Sequence, residues 1–324
     1  MPLPWVSAAH VLSGSGDWKD WLSAILWVAA AYAFGRWQFE RSLRFDQEAA
    51  RSAGDSGAKE SGVVESFFRI PGRVLPDPIG AMVEKEIRSL LRSPRFRLLF
   101  IMGFSFGLLI WLPMMFGRKN PSVMASYFLV IICAYAITLL SEVLVWNTLG
   151  YDRSAAQFYW LVPMPPRYLM IAKNLTALLL IFLQILIITA ICLVFRLPVT
   201  IRMFADAVLV CMLLMVLLMS VGNYSSLRFP RAVDPRESWK RSAATKFQAL
   251  LLLLYPVLAI PFAFAYWART VWEAQWPFYT VIGFVGISAI TAYSLSLDSA
   301  ERIAIDEKER ILNLLGQGED PMAA

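Results

Sequence analysis

The sequence predicts an all-α polytopic membrane protein with about seven transmembrane helices, and three observations support this. Hydrophobic residues make up 58% of the 324 residues and charged residues only 17%, whereas about 25% of the residues are charged in an ordinary globular domain. The apolar residues lie in long blocks, which is typical of helices that cross lipid. Lysine and arginine alternate in abundance between successive loops, as the positive-inside rule requires.

Six apolar segments are long enough to cross a bilayer as helices, which takes roughly 20 residues. They are residues 98–116, 123–146, 169–195, 204–227, 247–267 and 276–297. A seventh, shorter segment at 18–36 has a competing interpretation as a signal peptide. A signal peptide carries its basic residues before the apolar core, whereas Arg36, Arg41 and Arg44 follow this segment. We therefore expect it to remain in the membrane as an N-terminal span.

The basic residues also predict how the spans are oriented. With seven spans, one set of loops holds 24 of the 30 lysines and arginines, and the alternate set holds six. Because basic loops stay on the cytoplasmic side, we expect a multi-pass protein of the cell (inner, cytoplasmic) membrane with its N-terminus outside and its C-terminus in the cytoplasm. This placement explains the net charge of +6 by orientation in membrane lipid, so no nucleic-acid partner is expected.

Polar stretches divide the chain into four regions. Residues 1–45 form the N-terminal span, 46–80 a flexible cytoplasmic linker, 81–297 a six-span domain and 298–324 a cytoplasmic tail. The tail has an amphipathic pattern and is expected to form one surface helix.

The stretch 81–97, at the start of the six-span domain, has apolar residues on one helical face and charged residues on the other. This pattern is typical of an amphipathic helix that lies in the membrane interface before the chain enters the first span of the domain. The alternative is a solvated helix that packs on its own protein.

No catalytic or metal-binding motif is present, so the chain is not expected to be an enzyme or to bind a cofactor of its own. It lacks the phosphate-binding loop of nucleotide hydrolases, the paired histidines of zinc proteases and the nucleophile elbow of hydrolases. It has a single histidine, and its three cysteines lie within apolar runs, where a thiol acts as a small hydrophobic group.

The spans contain few polar residues of possible functional weight. A carboxylate at membrane depth often marks a transport pathway, and Glu142 is a candidate. However, Glu142 lies near the cytoplasmic end of its span and could instead pair with Arg153 or Lys173, so both interpretations stand. Asp206 lies near the outer end of another span. Gln184, in mid-span, is expected to join helices by a hydrogen bond.

The loop 147–167 differs from ordinary polar loops because it is rich in aromatic residues and prolines. Asp152 or Ser154 could cap a short helix over 155–161. Pro163 and the prolines after it would end that helix and stiffen the return to the membrane. Exposed aromatic side chains on such a platform indicate a protein partner or a lipid surface.

These features resemble the type-2 ABC exporter permease family over roughly residues 76–297. The resemblance rests on four pieces: E-K-E-I-R-S-L-L-R at 84–92, N-x-x-G-Y-D-R at 147–153, L-V-P-M-P-P-R at 161–167 followed by Lys173 and Asn174, and S-L-R-F-P-R at 226–231.

The resemblance implies a membrane-spanning permease subunit that works with a separate ATP-binding subunit, which would hold ATP and Mg. It also implies a second permease half or a second copy of the chain. The loop would be a coupling helix seated in a groove of the ATPase. Its coupling residues would be Asn147, Gly150, Tyr151, Asp152, Arg153, Phe158, Tyr159, Pro163 and Arg167, and the interface helix beside it would contribute Glu84, Lys85, Glu86 and Arg88.

Permeases of this family usually begin near the interface helix, whereas about 80 residues and a span precede it here. The chain therefore also resembles the C-terminal half of a double-length permease. Two other classes of function compete with transport: an intramembrane enzyme, and a non-transporting assembly or sensory protein that uses the same loop to dock a cytoplasmic partner.

Overall fold

A computed structural model describes residues 13–14, 17–52, 68–116, 127–162, 164–233 and 245–316. Every regular element in these ranges is a helix, which confirms the predicted all-α, multi-span fold. The chain divides into two compact units, Met1–Gly62 and Val63–Ala324.

The first unit contains one long helix, α1 (Trp18–Ser52). It begins where the N-terminal span was predicted, and Trp18, Trp21 and Trp37 on it are exposed, as aromatic residues at a lipid interface are. The helix continues beyond the predicted span, so the prediction of a flexible linker starting at residue 46 is wrong as far as Ser52. The glutamate, alanines and arginine of this stretch are good helix formers. Residues 53–67 of the predicted linker lie outside the described ranges.

The second unit contains ten α-helices within the described residues. They are α2 (Ile70–Val74), α3 (Ile79–Arg92), α4 (Pro94–Phe116), α5 (Phe128–Leu144), α6 (Phe158–Leu161), α7 (Pro166–Val194), α8 (Ile201–Arg228), α9 (Thr245–Val271), α10 (Trp276–Asp306) and α11 (Lys308–Gly316); a 3₁₀ helix (Arg153–Gln157) precedes α6. The short helix α2 is a further departure from the predicted linker.

The predicted spans of this unit coincide with helices α4, α5, α7, α8, α9 and α10. Among the described residues, α7, α8 and α10 are by length and composition able to cross a membrane, and α5 is a shorter apolar helix. The predicted span 123–146 ends earlier than expected, because the backbone leaves the helical conformation at Val145. Residues 117–126, which include its predicted beginning, lie outside the described ranges.

The predicted interface helix 81–97 is divided by a break at Ser93. Helix α3 ends there because Pro94 disfavours a helical conformation in the residue before it, and Pro94 then opens α4. The helix is amphipathic as predicted, but Val83 and Ile87 on its apolar face are buried against Ala172 of α7. This contact favours the alternative in which α3 packs on its own protein.

The prediction that the tail forms one surface helix is wrong, because the tail is divided between the end of α10 and a second helix. Helix α10 continues to Asp306, and α11 follows after a break at Glu307. Ile311 and Leu315, four residues apart on one face of α11, are completely buried. They form a second hydrophobic core with Leu149, Ala156, Leu169, Met170, Leu227, Leu297, Ala300 and Ala304. The tail therefore supports the 147–167 loop from one side.

Candidate functional site

The 147–167 loop folds into turns and two short helices rather than one. After the turns at 147–152, the 3₁₀ helix over Arg153–Gln157 leads into α6, so the expected helix is present in place but changes type at Phe158. Asp152 occupies the N-cap position, yet its side chain makes no capping hydrogen bond, and Ser154 lies inside the 3₁₀ helix. The predicted cap is wrong because the Asp152 carboxylate binds two lysines instead.

This carboxylate is the centre of a charged network, which we define as Lys85, Glu86, Asp152, Tyr159 and Lys173. Lys85 Nζ lies 2.6 Å from Oδ1 of Asp152 and donates to the Tyr159 hydroxyl at 2.5 Å. Lys173 Nζ lies 2.7 Å from Oδ2 of Asp152 and 2.8 Å from Oε1 of Glu86. The Tyr159 hydroxyl also lies 3.0 Å from Asp152 Oδ1. The network therefore connects α3, the loop and the first turns of α7.

Because the network is buried, its charges depend on these ion pairs for their stabilisation. The side chain of Lys173 is 3% exposed and that of Asp152 is 7% exposed, so neither charge has water to stabilise it. Burial by itself would raise the pKa of Asp152, but the ammonium groups of Lys173 and Lys85 outweigh it and lower that pKa to about 2. Burial likewise opposes the charge on Lys85, yet Asp152 leaves the pKa of Lys85 raised. The Asp152 carboxylate and the Lys85 ammonium group thus remain ionised in contact with each other.

A second set of contacts joins the start of the loop to the segment after α8. The Asn147 side-chain amide donates to the Arg231 carbonyl at 2.8 Å and accepts the Arg231 N–H at 3.2 Å. The Val233 N–H donates to the Gly150 carbonyl at 2.9 Å. A Cβ at position 150 would overlap the Asn147 amide and lie 2.5 Å from the Arg231 carbonyl oxygen. Only glycine at position 150 allows the loop and the segment after α8 to approach this closely.

The aromatic residues of α6 point in different directions. Trp160 faces inward and donates its ring N–H to the Ala304 carbonyl at 3.0 Å, and Tyr159 is held by the charged network. Phe158 is 65% exposed and Leu161 is 76% exposed. The result is a surface knob of two apolar side chains, Phe158 and Leu161, on a base fixed by buried contacts.

Among the other predicted coupling residues, Tyr151 and Arg167 contact other parts of the chain, and Pro163 is not among the residues that the structure describes. Tyr151 is half-buried against the membrane core, and burial raises the pKa of its hydroxyl. Arg153 has a positive φ of 49°, an uncommon conformation for a residue other than glycine. Arg167 pairs with Asp298 of α10 at 3.1 Å.

On the interface helix, the structure separates the predicted residues into two groups. Lys85 and Glu86 belong to the charged network, whereas Glu84 and Arg88 pair with each other at 2.6 Å along α3. Glu142 is half-buried on α5. The suggested pair of Glu142 with Lys173 is wrong, because Lys173 is bound by Glu86 and Asp152.

Sequence reasoning did not find that Lys173 joins Glu86 to Asp152. The available signal was a lysine near the start of an apolar span, since a cation at that position requires acidic partners. Next to it, Asn174 donates to Asn223 of α8 at 2.8 Å and to the Tyr293 hydroxyl of α10 at 3.1 Å. These bonds join three spans beside the network. Gln184 behaves as predicted and donates to the Phe100 carbonyl of α4 at 3.2 Å.

The site combines a buried charged network with an exposed apolar knob. Within the part of the chain that the structure describes, no three His, Cys, Asp or Glu side chains are grouped so that they could hold a metal ion. The charged network has complementary charges that neutralise each other, and the apolar knob beside it is free of such contacts. Exposed apolar side chains of this kind are typical of surfaces that contact another protein or lipid.

A family model described as a membrane protein of 12 transmembrane segments matches residues 75–296, about two thirds of the chain. The matched region contains the six spans from α4 to α10 together with the network and the 147–167 loop. No curated protein and no solved structure is significantly similar to the chain.

Proposed function

We propose, from the premise that this chain belongs to the family of membrane proteins with 12 transmembrane segments, that it is the membrane-spanning permease subunit of an ATP-driven exporter. The proposal has two parts: a docking surface for a separate ATP-binding subunit, and a bundle that the ATPase drives between two conformations. The side that carries the 147–167 loop is the cytoplasmic side in this proposal, in agreement with the distribution of lysine and arginine.

The observation that carries the proposal is the apolar knob of Phe158 and Leu161. Large apolar side chains that are exposed outside the lipid and supported from below are typical of protein–protein contacts. Here α6 is supported by the network on one side, through Tyr159, and by α10 on the other, through Trp160. A partner that moves the knob therefore moves the network with it.

The network provides the path by which such a movement would reach the membrane. Asp152 is bound to Lys85 of α3 and to Lys173 of α7, and α7 begins directly after the loop at Pro166. A displacement of the loop during ATP binding by the partner would pull both helices and bias the bundle toward one of two states. The partner would hold ATP and Mg.

The family description names 12 segments, and the matched region contains six. This supports the part of the proposal in which two six-span units form the complete permease, either as two copies or as two linked halves.

The experiment that tests the docking surface uses Phe158→Asp and Leu161→Asp, with a candidate ATP-binding subunit expressed together with the membrane protein. Both side chains are exposed, so the variants are expected to fold. Burying a carboxylate in an apolar groove should reduce the amount of ATPase that co-purifies by about 30-fold, the effect of losing a hot-spot contact of about 2 kcal/mol. ATP turnover in reconstituted vesicles should fall with it.

A matched control is Ile201→Asp, which places the same charge at an exposed residue at the other end of the bundle. It should leave co-purification unchanged. If Phe158→Asp and Leu161→Asp retain the ATPase as well as the control does, the docking surface is wrongly placed. If the unaltered chain retains no ATPase at all, a non-transporting assembly or sensory protein becomes the better description.

The orientation has its own test. Reporter fusions after Val233 and after Glu273 lie in successive loops, on either side of α9. The proposal expects the first reporter in the cytoplasm and the second outside. Two reporters in one compartment would overturn the proposed topology.

A further inference from the structure

A second buried charge pair lies at the opposite end of the bundle from the network. Asp206 is in the second turn of α8, and Arg269 is in the last turn of α9. The guanidinium of Arg269 donates to both oxygens of Asp206, at 2.6 and 3.3 Å. Both side chains are largely buried, so the pair holds two spans together where water has little access.

Aromatic rings enclose the guanidinium. It lies 3.8 Å from the ring centre of Phe278, which is completely buried at the start of α10, and 5.4 Å from the ring of Tyr266. The Tyr266 ring in turn lies 4.6 Å from Tyr127, just before α5. The ends of four helices therefore meet at this pair, and the rings close the end of the bundle around it.

The packing around the pair is uneven. Helices α8 and α9 each pack extensively on α10 but share little surface with each other. The Asp206–Arg269 pair is thus a specific tie between two helices that hydrophobic packing holds only weakly together. Arg269 would keep its contact with Phe278 of α10 if α8 moved away.

Helix α9 also contains places where it can bend. Pro256 and Pro261 lie inside the helix, and each proline removes one backbone hydrogen bond and weakens the turn before it. The last turns of α9, including Arg269, follow these two prolines. A break of the ion pair can therefore be accommodated by a bend in α9 without unfolding the rest of the helix.

From these four observations we propose that Asp206 and Arg269 form a latch that closes the outer end of the bundle. The latch is shut in this structure. It opens when α8 separates from the end of α9, which exposes the core beneath Tyr266 to the outside. The outer end is the end opposite the 147–167 loop, which faces outward in the proposed orientation. The latch itself does not require an ATPase partner.

Cys211 provides a native reporter for this opening. It is completely buried on α8, five residues beyond Asp206, in the same core as Phe278 and Ala265. In a Cys133→Ala/Cys192→Ala background it would be the single thiol in the chain. Its reaction with a membrane-impermeant methanethiosulfonate reagent, added to one side of sealed vesicles at a time, measures access from each end.

Asp206→Asn leaves the Arg269 charge without its partner, and the reaction rate of Cys211 from the outer side should rise about tenfold or more. Because that single change also risks misfolding, the double variant Asp206→Leu/Arg269→Met removes both charges together and leaves no buried charge and no hydrogen bond between the two side chains. It should fold and should also react faster from the outer side. The matched control is Arg202→Gln, which removes an exposed charge from the first turn of α8 and should leave the rate unchanged.

Two results would overturn the latch. One is a Cys211 reaction rate in the inserted, folded double variant that equals the rate of the control. The other is a faster reaction from the side that carries the 147–167 loop. Loss of ATPase binding in the docking experiment would leave the latch result unaffected, so the two proposals fail separately.

Discussion

At the end of the bundle that carries the 147–167 loop, Lys173 is shared between Glu86 and Asp152, and Lys85 gives Asp152 a second cation. At the opposite end, the Asp206 carboxylate holds the guanidinium of Arg269 in two hydrogen bonds. In the first arrangement, loss of one ion pair leaves the other ion pairs in place, whereas in the second one ion pair joins α8 to α9. Shared charges suit a joint that must stay assembled while it moves, whereas a single pair suits a contact that opens and closes.

The change with the largest expected effect on this comparison is Lys173→Met. It removes a completely buried cation and leaves Asp152 and Glu86 close together without it. The free energy of unfolding should fall by about 3–5 kcal/mol, the usual effect of breaking a buried pair. Thermal unfolding of the detergent-solubilised protein measures this. Lys85→Met is the matched comparison, since that side chain is 49% exposed, and it should lose only about 1 kcal/mol.

An equal loss of stability in the two lysine variants would contradict the view that Lys173 is the buried centre of the network. An intact Lys173→Met protein would show that the network does not hold the loop in place.

Lowering the pH tests how much the ion pairs of Asp152 contribute to the stability of the fold. Its pKa of about 2 in the folded protein is below the value of about 3.9 in an unfolded chain, so its ion pairs stabilise the fold fully above about pH 4. That stabilisation, about 2–3 kcal/mol, should be lost as the pH falls from about 4 to about 2. The pKa of Lys85 is raised, so its contribution is lost only above the unfolded lysine value of about 10.4.

The melting temperature should therefore be nearly constant from pH 5 to pH 9 as far as this network is concerned, by the same linkage argument. The Asp152→Asn variant, measured over the same acid range, should show a smaller decrease. An unchanged acid profile in that variant would assign the decrease to other carboxylates.

A smaller loss is expected from Gly150→Ala. The new methyl group would overlap the Asn147 amide and break the contact between the loop and Arg231, which should reduce stability by about 2 kcal/mol. Gly283→Ala in α10 is the matched control. A Cβ there has nothing within 4 Å, so alanine should stabilise the helix slightly. Urea or thermal unfolding of the two variants measures the difference, and equal effects would show that position 150 has more room than its contacts indicate.

The smallest effect should come from Arg167→Gln. Both side chains of the Arg167–Asp298 pair are about half exposed. Exposed pairs contribute about 0–1 kcal/mol to the free energy of unfolding. High salt should leave even this contribution undetectable, because ions screen exposed charges. A loss as large as that of Lys173→Met would mean that the loop depends on its exposed contacts and not on the buried network.

The structure also changes which variant tests the proposed coupling. The sequence-based prediction assigns both Asp152 and Phe158 to one docking surface. In the structure Asp152 is buried in the network and Phe158 is exposed, so changes at Asp152 affect folding before they affect a partner. Phe158 and Leu161 are the informative positions.

Prediction from sequence was most successful for the spans and least successful between them. The long apolar blocks placed α7, α8 and α10 to within a few residues at their beginnings. The break at Ser93 and the continuation of α10 to Asp306 were missed. Next to Ser93, α3 packs through Val83 and Ile87 on Ala172, and the end of α10 packs in the second core. The length of an apolar block does not show where a span ends and such packing begins.

The candidate site was predicted in position but not in its connections. The loop and the helix with Lys85 and Glu86 were both identified from their residues. The pairing of Asp152 with Lys85 spans 67 residues of sequence, and that of Lys173 with Glu86 spans 87. Several acids lie at comparable distances along the chain, so only their positions in space could select the partners.

The sequence by itself determined that the chain is a bundle of membrane helices, because a bilayer requires long apolar helices whose backbone groups bond within the segment. That requirement acts locally and leaves its record in local composition. The tertiary structure decided which charges are shared and which form one pair, and which aromatic side chains are exposed. Those outcomes depend on how helices pack, since burial turns a distant carboxylate into the necessary partner of a lysine or an arginine.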